Sequence, residues 1–130
     1  MASVSVVVTA HNSAGLIVRA LHSVEGSVAA FRDGPGRQVG AEAEVIVVDD
    51  GSTDDTPRQV ADFTAGRHGW RVVRRPQANS PACARNAGAR QARGELLFFL
   101  DGDDLFLPGH VTACWEALRD GGLDLSLIHI

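Results

Sequence analysis

The chain has 130 residues, 45% of them apolar, which suffices for one domain around one core and is short for an enzyme with two substrate sites. Sixteen acidic against twelve basic residues give a net charge of −4, which speaks against a nucleic-acid partner whose phosphates must be neutralised. All twelve basic residues are arginine, so any mechanism that needs a catalytic lysine is excluded within this chain.

In chain order, MASVSVVVTAHN lacks a basic leader, and its apolar stretch is too short for a signal or a membrane span. A cytoplasmic location is expected. Val4, Val6, Val7 and Val8 form a β-branched run that predicts a first strand, stopping at Thr9. Ile17, Leu21, Val24, Val28 and Phe31 recur at helical spacing behind the cap candidates Asn12 and Ser13. Residues 33–43, DGPGRQVGAEA, read as a surface loop. Val45, Ile46, Val47 and Val48 form a second strand that stops at Asp49. Asp54, Asp55, Thr56 and Pro57 then open a helix ending near Gly66, with Val60 and Phe63 on one face. Trp70, Val72 and Val73 predict a short third strand, Pro81 to Arg93 an Ala-rich helix stopped by Gly94, Leu96 to Leu100 a fourth strand, and Pro108 to Arg119 a last helix.

Continuous apolar runs imply strands covered on both faces, and the strand–helix alternation implies an α/β, doubly wound, mostly parallel sheet with flanking helices. In such sheets ligands bind outside the carboxyl ends of the strands. Thr9-Ala10-His11-Asn12, Asp49-Asp50-Gly51-Ser52 and Asp101-Gly102-Asp103-Asp104 all follow predicted strands, so three polar loops are expected on one rim. Like charges as close as Asp101, Asp103 and Asp104 repel, and a cation among them removes that cost. Hard carboxylate oxygens suit Mg²⁺ or Mn²⁺ held against a diphosphate, and a carboxylate on a neighbouring loop can accept from the N–H of a base. Neither GxxxxGK[ST] nor GxGxxG is present. A calcium loop starting at Asp50 also fails, because Asp55 stands where its glycine belongs and Ala61 where its bidentate glutamate belongs.

VVVTAHN, VIVVDDGSTDDT, ACARNAGARQARGE and FFLDGDDLFLP, in this order and spacing, resemble the N-terminal half of an inverting family 2 glycosyltransferase of the GT-A, Rossmann-like fold. The resemblance runs from Val4 to about Leu118 and implies a nucleotide-sugar donor, most often a UDP-sugar, bound through a metal at a DxD-type motif. Carried over, it makes Asp103 the metal ligand, sets Asp101 at the ribose or the metal with Asp104 beside them, and puts Asp50 at the base edge. Thr9 lines the same pocket, and Arg85 contacts the nucleotide or braces the acidic loop. His11 stands where such enzymes commonly have an aromatic; it can lie flat against a base but titrates near neutral pH, so donor affinity is expected to vary with pH. Ser80, followed by Pro81, replaces a common glycine.

Other residues draw plainer expectations. Asp49 is expected to cap a turn through an Asx bond, and Asp54 and Asp55 to serve the helix start. His22, His68 and His110 have no partners at metal spacing. Cys83 and Cys114 are expected to be reduced, partly buried packing residues, as are Trp70 and Trp115 in their packing role. A haloacid-dehalogenase-type phosphatase also resembles an apolar strand followed by DxD, but Leu105 departs from its pattern and no lysine is available. A non-catalytic nucleotide-binding module is the third reading. The closing LSLIHI matches the in-frame translation of a sequencing-library transposon adapter. Residues 1–122 are thus expected to be the N-terminal part of a larger enzyme and 123–130 a truncated end, with 125–130 adapter-derived. An unpaired sheet edge, apolar exposure near Leu123 to Ile130 and a missing acceptor site and general base follow from that expectation; the catalytic base is unknown.

Overall fold

The computed structural model describes residues 3–78, 80–121 and 127–129. Five strands, β1 (Val4–Ala10), β2 (Ala43–Asp50), β3 (Trp70–Arg75), β4 (Leu96–Asp101) and β5 (Leu127–His129), form one sheet in the order β3-β2-β1-β4-β5. Every neighbouring pair is parallel. Two-sided burial is the reason the β-branched runs are continuous: Val6, Val7, Val8 and Val45 to Val48 are fully buried. Helices α1 (Ile17–Asp33), α3 (Thr56–Thr64) and α5 (His110–Gly121) cover one face, where Leu21, Phe31, Val60 and Trp115 meet Val6, Val8, Val45 and Val47. Helix α4 (Pro81–Gln91) covers the other, over Val7, Ile46, Val48 and Phe99. It lies close because Gly88 has no side chain: a Cβ there would stand 2.3 Å from Val7 Cγ1 and 3.0 Å from Val48 Cγ2. The doubly wound architecture is as expected.

Several elements differ from expectation. The loop over 33–43 contains a five-residue helix, α2 (Pro35–Val39), started by Pro35, whose fixed φ suits a first helical turn. Helix α1 starts at Ile17 with no side-chain cap, so neither Asn12 nor Ser13 caps it through its side chain; the Ser13 carbonyl instead accepts from the N–H groups of Leu16 and Ile17. Strand β3 continues two residues past Val73, which sets Arg74 and Arg75 in register with Asp49 and Asp50. Helix α4 ends at Gln91, before Arg93, and α5 begins at His110 rather than Pro108.

The edge of β4 is not left open. Leu97, Phe98 and Phe99 pair with Leu127, Ile128 and His129, because an open parallel edge offers a row of backbone groups to any extended segment that reaches it. The expected apolar exposure near Leu123 to Ile130 concerns side chains outside the described residues. Cys83 is exposed rather than partly buried, while Cys114 is half-buried; both are free. Among the described residues no helix is long and apolar enough to cross a membrane.

Candidate functional site

The three polar loops meet at the carboxyl ends of the strands. They enclose a cleft of ≈ 320 Å³, lined among others by Thr9, His11, Asp50, Arg85, Asp101 and Asp103, which brings all six candidate residues to one place. A larger cavity, ≈ 580 Å³, opens at the opposite ends of the strands around Glu42, Glu44, Trp70 and Arg71. Glu44 there is engaged by Ser5, Arg71 and the Arg93 N–H, which identifies a hub of structural hydrogen bonds remote from the acidic loops.

The acidic wall is a tight turn after β4. Gly102 N–H donates to the Thr9 carbonyl at 2.7 Å and Asp104 N–H to the Asp101 carbonyl at 2.9 Å, which folds Asp101, Asp103 and Asp104 around one point. One carboxylate oxygen from each lies within 4.8 Å of the others, and all three residues are exposed. Three hard oxygen donors converging from one short turn fit a divalent cation such as Mg²⁺ or Mn²⁺. Thr9 Oγ1 donates to Asp101 Oδ1 at 3.1 Å, and Arg85 Nη2 stands 4.0 Å from the same oxygen. Arg85 thus faces the acidic loop from the first turns of α4. Ser80, the residue in the usual glycine position, caps that helix: its Oγ accepts from Cys83 N–H at 3.2 Å. The Ser80 hydroxyl, helped by the charge of Arg75, also holds the Cys83 thiol below its ordinary pKa.

The opposite wall is built from the loops after β1 and β2. His11 Nδ1 donates to the Asp50 carbonyl at 2.8 Å, since a carbonyl can only accept, and Asn12 Nδ2 reaches His11 Nε2 at 3.4 Å. These contacts hold the ring over the β2 terminus. Asp50 is only 4% exposed, and Arg75 Nε stands 3.5 Å from its Oδ1. Gly51 follows with φ 66°, and a Cβ on it would come within 2.3 Å of Ala78 N, so only glycine lets this loop rest against the segment after β3. Asp49 is not the Asx cap expected of it: its carboxylate is buried, faces Arg74 at 3.6 Å and has no hydrogen bond among the described residues. Asp54 takes that part instead, accepting from Thr56 N–H at 2.9 Å and Ala14 N–H at 3.2 Å. Bonds from Thr56, then from Ala14, hold its carboxyl below the usual range.

Two groups of site residues escape a reading of the sequence. Asn12, with φ 48°, takes its Oδ1 to Thr53 N–H at 2.8 Å while its own N–H donates to Ser52 Oγ at 3.0 Å. Ser13 N–H donates to Thr56 Oγ1 at 2.8 Å, so the first two loops are stitched together. The other is Arg75, for which a signal existed: two acids end one strand and two arginines end the next.

Residues 5–130 match the family described as glycosyl transferase family 2. The chain belongs to that family. Among similar proteins, the succinoglycan biosynthesis protein ExoO of Rhizobium meliloti (strain 1021) is 36% identical over 124 residues, covering 95% of this chain and 32% of the relative. The validoxylamine A glucosyltransferase of Streptomyces hygroscopicus subsp. jinggangensis (strain 5008) is 35% identical over 113 residues, covering 87% of this chain and 25% of the relative. The chain thus spans about a third or less of the length of these proteins. The S. aureus TarS 1-349 structure in complex with UDP-GlcNAc superposes with a TM-score of 0.74 at 28% identity, over 91% of this chain and 31% of that one. The mannosyltransferase PcManGT from Pyrobaculum calidifontis, in complex with GDP-Man and Mn²⁺, gives 0.69 at 30% identity, over 86% and 30%. The fold is that of the GT-A glycosyltransferases, and the phosphatase reading falls with the family assignment.

Proposed function

We propose that this chain forms the donor-binding part of a glycosyltransferase that takes a nucleotide-diphospho-sugar, a UDP-sugar, and passes the sugar to an acceptor hydroxyl with inversion. The observation that carries the reading is the convergence of Asp101, Asp103 and Asp104 on one side of a cleft whose other side holds Asp50 and His11. Similar structures in complex with UDP-GlcNAc or with GDP-Man and Mn²⁺ support it.

In this reading Asp103, at the tip of the turn, is the chief ligand of Mg²⁺ or Mn²⁺, with Asp104 beside it. Asp101, tied to Thr9 and Arg85, faces the ribose or completes the metal's oxygen set. Such an ion neutralises the diphosphate leaving group. Asp50 accepts the imide N–H of uracil, His11 lies against the base, and Thr9 closes the floor of the cleft. Arg85 keeps Asp101 aimed inward and adds positive charge near the phosphates.

Titration calorimetry tests this directly. UDP is expected to bind in the presence of Mn²⁺, to be released on chelation, and to lose most of its affinity in Asp103→Asn. Asp50→Ala is expected to weaken UDP far more than it weakens pyrophosphate with Mn²⁺. Equal UDP affinity with and without metal would remove the role given to Asp103, and an equal loss for both ligands would reassign Asp50 to phosphate or structure.

A further inference from the structure

The carboxylate assigned to the base is itself held by a residue that does not line the cleft. Asp50 is 4% exposed, and a carboxylate withdrawn that far from water is costly unless a cation stands beside it. Strand β3 supplies one. In the parallel register of β2 and β3, Asp49 is opposite Arg74 and Asp50 opposite Arg75, so two acid–arginine pairs sit side by side at the strand ends. They are not equivalent. The Arg74 side chain is 65% exposed, and its approach to Asp49 is open to water and salt. The Arg75 side chain is 20% exposed and meets an Asp50 side chain that is 6% exposed, so their attraction is little screened. Arg75 also keeps a buried Nη1 with no hydrogen-bond partner among the described residues.

We infer that Arg75 is a positioning residue for nucleobase recognition: it holds the buried Asp50 carboxylate in place as a hydrogen-bond acceptor and so sets a preference for uracil over cytosine. Uracil presents an N–H at its N3 position, which an acceptor welcomes. Cytosine presents a lone pair there, which the same acceptor repels, and repulsion of the wrong base is an effective source of discrimination. This inference rests on the nucleotide reading above, and it concerns a residue outside the metal turn.

The test compares UDP, CDP and pyrophosphate, each with Mn²⁺, on the wild-type chain and on Arg75→Gln, Arg75→Lys, Asp50→Asn and the double variant Arg75→Gln/Asp50→Asn. Arg75→Gln is expected to weaken UDP about tenfold or more, to narrow the UDP-to-CDP ratio, and to leave pyrophosphate within about twofold. Arg75→Lys, which keeps the charge, is expected to recover most of the UDP affinity. In the Asp50→Asn background, Arg75→Gln is expected to change UDP affinity little further, a coupling that a purely structural role does not produce. Parallel losses for UDP and pyrophosphate, or an undiminished effect of Arg75→Gln in the Asp50→Asn background, would overturn the inference. Wild-type binding of UDP that Arg75→Gln leaves intact overturns this inference alone, whereas a wild-type chain that binds pyrophosphate but not UDP overturns the nucleotide reading with it.

Discussion

Asn12 illustrates how a polar residue ahead of a helical pattern can be misread. Its position before Ile17 suggests a cap, but its backbone is left-handed, which asparagine tolerates, and its side chain points to the second loop rather than to α1. The alternative partner, Thr53 N–H, is 41 residues away in sequence, and no local pattern announces it. The acids of the DGDD turn were legible because chemistry alone demands a reason for them. Asp49 was not, since only the register reveals that it is buried beside Arg74. Asn12→Ala removes the bond to Thr53 and strains the backbone at once; it is expected to cost about 1–3 kcal/mol in urea denaturation. Asn12→Gly relieves the strain but not the lost bond, and is expected to recover part of that stability. Equal destabilisation by both would mean that the backbone conformation contributes nothing.

At the scale of elements, the strands and main helices were legible because apolar periodicity is a local property. Ile17, Leu21, Val24, Val28 and Phe31 are all buried, as their spacing implies. Helix α2 and strand β5 were not, because neither a five-residue helix nor a three-residue pairing is long enough to carry a period. Glu44 is the clearest element-level tie. Ser5 Oγ donates to it at 2.7 Å, Arg71 Nη2 at 2.8 Å and Arg93 N–H at 2.6 Å, so one carboxylate on β2 joins β1, β3 and the turn before β4. Burial alone pushes its pKa up, but these bonds and the Arg71 charge prevail and leave it below the usual 4.5. A lowered folded-state pKa contributes stability that is present above the unfolded value and lost as pH falls through the folded one. Glu44→Gln is therefore expected to cost about 1–3 kcal/mol near pH 7. In thermal melts the gap between wild type and variant should close as pH drops below 4.5. A gap that stays constant with pH would mean that the carboxylate's charge plays no part.

At the scale of the whole molecule, the parallel sheet and the rim on which the loops gather were legible from strand–helix alternation, since that topology dictates where ligands sit, whereas the order β3-β2-β1-β4-β5 was not. The stitching between loops was not, because it depends on side chains that meet only after folding. Among the described residues the carboxylates lining the cleft are Asp50, Asp101 and Asp103, and the reading above engages all of them in holding the donor. Inverting displacement also needs a base at the acceptor hydroxyl, worth about 10²–10⁴ in rate. The 130-residue chain is accordingly expected to bind UDP yet to release none from UDP-sugars in a coupled turnover assay with candidate acceptors. Robust turnover by this chain would mean that one of those acids, or Asp104, serves as the base.

The cross-links among the loops also bear on how a ligand would arrive. Asn12 N–H to Ser52, Thr53 N–H to Asn12, Ser13 N–H to Thr56 and Gly102 N–H to Thr9 immobilise the rim through the chain's own backbone amides. Ordering of these loops accompanies folding, so little conformational entropy remains to be lost when a guest enters. Association of the proposed donor with such a preformed rim is expected to approach the behaviour of rigid bodies, with the rate set by encounter and desolvation.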